Sequence, residues 1–198
     1  MTKKIEYQKH YYPGTRQQLL EKVKASVSEK RFAHILGVEQ AALTLAEKNG
    51  VDLEQASVAA LVHDYAKERS AAEFKAVIVQ KGLDPELLLW NNFIWHGVVG
   101  AQIIKDELQI TDEAILEAVR RHTVGAPEMT LLEQVLYVAD YIEAGRDFPG
   151  VNKARELAFE NLTQAVSYET KHTLLHLMQQ EKTIYPAAIL TYNAYVAK

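Results

Sequence analysis

Cysteine is absent from the 198 residues, which excludes disulfides, thiolate zinc sites and cysteine nucleophiles. Any metal must therefore be held by His, Asp and Glu, and the composition suits a reducing, cytoplasmic compartment. Long apolar runs are missing too: nowhere do about eighteen apolar residues follow one another, and the lysines near the start have no apolar stretch behind them. Neither secretion nor an association with membrane is expected. Charge of one sign is not in excess, since charged residues make up 24% and the net charge is -4. That excludes a broad basic face for nucleic acid and a disordered acidic tail, so any polyanion must be bound locally. Alternating strand patterns bounded by turns and repeats of fixed period are also lacking.

What is present reads as helix throughout, with 48% hydrophobic residues to build a core. Residues 1–14 read as a flexible leader ending in Pro13-Gly14, and 15–198 as a single helical domain. Thr15 can cap a helix to about Val27, and a second runs from Ser28 to Asn49-Gly50 with His34 inside it. Asp52 with Gln55, Ser70 with Glu73, and Thr130 with Glu133 each have the spacing of a capping box. The helix after Asp52 runs straight into His63-Asp64. Asp84-Pro85 predicts a further helix start, the next helix begins near Trp95-His96, and Thr111 caps one that ends near Arg120-Arg121-His122. Residues 153–182 read as two long amphipathic helices, and Pro186 starts a last one.

Six residues are candidates for one site: His34, His63, Asp64, His96, His122 and Asp140. Apart from the adjacent pair, each belongs to its own helix or helix end, the arrangement by which a bundle aims ligands at a common point. Neutral imidazole gives one lone pair to a borderline metal, while a carboxylate can bridge two ions, and Asp64 is the natural bridge. Two ions about 3.5–4 Å apart could share a water and clamp both oxygens of a displacement at phosphorus. A lone histidine has a simpler reading as a satisfied core or surface residue. His63-Asp64 at the end of an apolar helix is more specific, because burying that pair is costly without a compensating partner. Its structural alternative is a histidine favoured by the helix macrodipole.

His34, His63-Asp64 and Asp140 form the H…HD…D pattern of the HD-domain phosphohydrolase superfamily. The stretches R-F-A-H-I-L-G-V at 31–38, H-D-Y-A-K at 63–67, W-H-G-V-V-G-A at 95–101 and R-H-T-V-G-A-P-E-M-T-L-L-E-Q-V-L-Y-V-A-D-Y-I-E-A-G-R at 121–146 resemble YqeK-type proteins. The resemblance covers roughly residues 16–195. It implies an all-α HD-domain bundle with the C-terminal helices packed on it. It also implies an iron-dependent, symmetrical diadenosine tetraphosphate hydrolase that yields two ADP. Iron ligands are implied at His34, His63, Asp64 and Asp140, with His96 and His122 facing a second metal or the phosphates. Nucleotide contacts are implied from Lys67, Thr123, Arg146, Thr183, Ile184, Tyr185 and Pro186. The family often has proline where this chain has Ala144.

The residues themselves are compatible with these roles. Lys67, three positions beyond Asp64, could neutralise charge growing on phosphate and join Asp64 in catalysis, or be a solvated lysine. Arg146 could fork onto a phosphate, or be a surface arginine. Thr123 and the Gly125 loop could offer a hydroxyl and amides, or form a simple turn, while Tyr185-Pro186 is equally helix punctuation. His172 and His176 share a helical face but lack the glutamate of a zinc motif, so packing or surface is expected, and His10 is expected to be solvated. The expected reaction is attack of a metal-bound hydroxide on a dinucleoside polyphosphate. The alternatives are another HD-superfamily nucleotidase or phosphodiesterase, and a nonhydrolytic nucleotide sensor. Manganese, cobalt or nickel would suit the same ligands, and a homodimer through an exposed apolar stripe stays open.

Overall fold

The computed structural model describes residues 5–197, and within them the chain forms eleven α-helices and no strand. The helices are α1 (Arg16–Ser26), α2 (Glu29–Asn49), α3 (Leu53–Val62), α4 (Ala71–Gln80), α5 (Asn92–Val98) and α6 (Gly100–Leu108). They are followed by α7 (Glu113–Arg121), α8 (Leu131–Ile142), α9 (Val151–Glu160), α10 (Leu162–Gln179) and α11 (Pro186–Tyr195). The all-helical bundle expected from the sequence is therefore observed.

Polar caps set most of the helix starts. Thr15, Ser28, Asp52, Ser70 and Thr130 each accept a hydrogen bond from the backbone three residues on, which satisfies an amide that the first turn leaves free. Of the three expected capping boxes, only Ser70 with Glu73 is complete, and Thr15 with Gln18 forms one that was not expected. Gln55 instead bonds Asp112 and Glu133 instead pairs with Arg121, because both side chains have tertiary partners within reach. Other corrections are local. Asp112, not Thr111, caps α7, and α5 starts at Asn92 on an Asn91 cap, ahead of Trp95-His96. The Pro85–Leu89 segment closes only as a 3-10 turn.

Helix α3 is the axis of the bundle. Every residue from Ala56 to Val62 is buried, and its small side chains, Ala56, Ser57, Ala59 and Ala60, let α2, α7 and α8 approach. Fully burying Val58, Leu61 or Val62 contributes about 1.5–3 kcal/mol each. A helix apolar on all sides has nowhere to go but the centre, so its C-terminal end, His63-Asp64, is carried into the interior. The C-terminal helices pack on this core through α10 against α8, with α9 and α11 against α10.

Two further ties matter for the site. Part of the leader, read from sequence as flexible, is strapped down: the Glu54 carboxylate accepts from the Gln8 and Lys9 amides, the Tyr7 hydroxyl meets Ser57, and Tyr12 is buried. Residues 1–4 of that leader lie outside the described residues. At the other end, the buried Thr191 hydroxyl donates to the Val124 carbonyl at 2.9 Å, joining α11 to the loop after α7. A Cβ on Gly125, which has φ +66°, would come within 2.5 Å of the Thr191 side chain, so that loop accepts only glycine without strain.

Candidate metal centre

The six candidate residues converge. His34 projects from α2, His63 caps the C-terminus of α3 and Asp64 follows it, His96 lies on α5, His122 caps α7, and Asp140 lies on α8. Asp64 sits at the middle. Its Oδ2 is 3.3 Å from His63 Nε2 and 3.6 Å from His34 Nε2, and its Oδ1 is 3.5 Å from His96 Nε2 and 4.0 Å from His122 Nε2. Asp140 Oδ1 stands 3.0 Å from His34 Nε2. Three overlapping trios result: His34, His63 and Asp64; Asp64, His96 and His122; and His63, His122 and Asp140.

Each histidine is oriented by its outer nitrogen. Nδ1 of His63 faces the Ala60 carbonyl at 2.7 Å, that of His122 the Val119 carbonyl at 2.7 Å, and that of His96 the Asn92 carbonyl at 2.6 Å. A carbonyl can only accept, so these three Nδ1 atoms carry the proton and Nε2 presents a lone pair inward. His34 Nδ1 is held in the same sense by the Glu143 carboxylate at 3.2 Å.

The inner atoms are then short of partners. Nε2 of His34, His63 and His122, and Oδ1 of Asp64, are buried with no hydrogen-bond partner among the described residues. Leaving such a group unsatisfied costs about 1–3 kcal/mol. Atoms bound to one ion at roughly 2.1 Å are themselves spaced roughly 3.0–3.4 Å apart, close to the spacings around Asp64 Oδ2. Lone pairs of imidazole and carboxylate converging at these distances fit a divalent cation, and the nitrogen and oxygen donor set suits first-row metals.

Electrostatics agree with that fit. Burial holds the His96 imidazole down to about 3 and His122 to about 4, with a further lowering by His122 and Lys67 for the former and by His63 for the latter, so both are neutral at pH 7. Burial pushes the Asp64 carboxyl up, but His63, His96 and Lys67 outweigh it and hold the group well below the usual carboxylate range. Asp140 is likewise held low, against burial, by His34, His63 and Arg146. His63 is raised, because Asp64 outweighs the downward effect of burial. Burial pulls the Lys67 ammonium down while Asp64 partly restores it, and its Nζ lies 3.0 Å from His96 Nε2.

Around the centre runs a cleft of about 680 Å³, on the His34 side, lined among others by Lys30, Arg31, Glu143 and Arg146. Arg31 Nη1 donates to Asp64 Oδ2 at 2.8 Å, and Arg146 Nη2 to Asp140 Oδ1 at 2.6 Å. Lys67, His96, His122 and Arg146 thus lie at the centre. Thr123, next to His122, buries a hydroxyl with no partner among the described residues. Tyr185 instead sets its ring edge-on to Trp90 at 4.9 Å, and Thr183, Ile184 and Pro186 make no hydrogen bond to the six residues. His172 turns back to the Tyr168 carbonyl and stacks on that ring, while His176 and His10 are exposed, in keeping with their exclusion.

Sequence reasoning missed Arg31 and Glu143. Each lies three positions from a candidate ligand, His34 and Asp140, and that spacing puts side chains on one helical face. Gly37, one turn beyond His34, makes room for Glu143: a Cβ there would fall 2.5 Å from the Glu143 carboxylate.

A model of the HD domain matches residues 31–145, which span all six residues. The chain belongs to the HD-domain family. Among its relatives is the symmetrical bis(5'-nucleosyl)-tetraphosphatase of Bacillus subtilis (strain 168), 44% identical over 182 residues, 92% of this chain and 98% of that protein. A protein of the same name from Staphylococcus aureus is 35% identical across 87% of this chain and 90% of its own length. A solved structure from Clostridium acetobutylicum, described as a predicted HD superfamily hydrolase involved in NAD metabolism, superposes with a TM-score of 0.85. It is 33% identical to this chain, covering 90% of this chain and 95% of that one. This HD-domain chain therefore shares its fold with a solved relative over nearly its whole length. Arg146 and helices α9–α11 lie beyond the family match, so the partners of the centre extend past its boundary.

Proposed function

We propose that this chain is a metal-dependent phosphohydrolase that splits diadenosine tetraphosphate symmetrically into two ADP. The observation that carries the proposal is Asp64: one carboxylate whose two oxygens face two different pairs of imidazoles. The names of the relatives supply the substrate class. Residues 15–198 act as one helical unit in this reading, with the C-terminal helices bracing the loop after His122.

His34, His63, Asp64 and Asp140 would hold one divalent cation, iron by resemblance, with manganese, cobalt or nickel acceptable to the same donors. Asp64, His96 and His122 would hold a second or face the phosphates. Such a pair of ions, when bound, activates water and neutralises phosphate charge. The protein's own work is positioning. The outer carbonyls and Glu143 keep the imidazole lone pairs aimed inward. Lys67 offers an ammonium beside His96, where charge on a transferring phosphoryl group would be stabilised. Arg31 and Arg146 line the cleft as ion pairs of ligand carboxylates, and their forks suit phosphate oxygens once the carboxylates are otherwise neutralised. In this reading Thr123 would add a hydroxyl, and Thr183, Ile184, Tyr185 and Pro186 would contact the nucleotide, with the Tyr185 ring set edge-on to Trp90. A small polyanion in a local cationic cleft agrees with the net charge of -4, and the cysteine-free composition agrees with a cytoplasmic enzyme.

The test is a product assay beside elemental analysis. Parent protein purified without chelator should contain a first-row metal and release only ADP from diadenosine tetraphosphate. Asp64→Ala should lose the metal and at least about a thousandfold in rate. AMP plus ATP as products would defeat the symmetric reading, and parental turnover by Asp64→Ala would defeat the site.

A further inference from the structure

Phe93 is 78% exposed and Leu89 84% exposed, at the entry to and the start of the α5 region that carries His96. A single exposed apolar side chain needs no explanation, but this one stands beside the chemistry. The Lys67 ammonium lies 5.9 Å from the Phe93 ring centroid and 3.0 Å from His96 Nε2, so one cation touches both the metal centre and the exposed ring. The backbone under the ring is fixed. Asn91 accepts from the Phe93 amide at 3.0 Å, and Asn92 donates to the Lys67 carbonyl at 2.9 Å, locking α5 to the Lys67 turn.

An exposed aromatic on pinned backbone loses little entropy when a flat group covers it, and every nucleobase has such a face. A phosphate held by Lys67 would leave the base of the same nucleotide within reach of Phe93. We infer that Phe93 is a stacking platform for the adenine of the nucleotide whose phosphate Lys67 binds. The inference rests on the nucleotide reading above and assigns one base of the substrate a place on this chain.

Metal-loaded parent, Phe93→Ala and Phe93→Trp protein would be titrated with ADP and, separately, with inorganic pyrophosphate, and assayed on diadenosine tetraphosphate. Phe93→Ala should weaken ADP binding and raise KM roughly tenfold, leave kcat and pyrophosphate binding unchanged, and be rescued by Phe93→Trp. Because the ring is exposed, the fold does not depend on it. Equal affinity of parent and Phe93→Ala for ADP would overturn the platform, as would a parallel loss of pyrophosphate binding. Absence of turnover by the parent would defeat the hydrolase reading instead, and the ADP titration would still decide the role of Phe93.

Discussion

On the Oδ2 side of Asp64, His63 is buried, but His34 and Asp140 are partly exposed, two arginines pair with the carboxylates, and a cleft opens beside them. On the Oδ1 side, His96 and His122 are buried, held neutral by that burial, and reached by a lysine rather than an arginine. One carboxylate therefore joins a more open half, where charge is balanced by partly exposed guanidinium groups, to a closed half, where lone pairs wait in a low-dielectric wall. The difference teaches that the six residues are not equivalent. In the proposed function the open half would exchange partners with an incoming anion, and the closed half would hold a fixed geometry.

The largest effect expected from this contrast is loss of a ligand from either half. His34→Ala and His122→Ala should each lower the rate by about a thousandfold, and each should keep roughly half of the parental metal content by elemental analysis, losing only the ion of its own half. Loss of all metal from both variants would merge the halves into one mononuclear site. A smaller effect follows from the cations. Lys67→Met should reduce kcat about a hundredfold with metal content intact, whereas Arg31→Ala should act mainly on KM, read by steady-state kinetics. If the two variants had the same kinetic signature, the division of labour would be lost. The smallest is in the outer support: Glu143→Ala should weaken metal binding roughly tenfold through misorientation of His34. Competition with a chelator would measure it, and an unchanged affinity would mean that helix α2 alone orients the ring.

Much of the helical frame was legible because capping is local chemistry. Ser28, Asp52, Ser70 and Thr130 announce their helices through a hydroxyl or carboxylate three residues before a free amide. Where two adjacent residues could cap, as at Thr111 and Asp112, or where a proline start opened only a short 3-10 turn, as at Pro85, local signals did not decide. The residue types of the site were legible too, since histidine and aspartate at helix ends are costly to bury without purpose. Arg31 and Glu143 were not, because arginine and glutamate on a helix are ordinarily solvated and only their distant partners, Asp64 and His34, distinguish them.

By itself the sequence determined the helices, the apolar character that drives α3 inward, and the short list of side chains able to ligate, all of which depend on neighbours within a turn or two. Only the tertiary structure decided that Asp64 turns one oxygen to His34 and His63 and the other to His96 and His122. That choice depends on how four helices meet, and interhelical distance is written in packing between residues far apart in the chain.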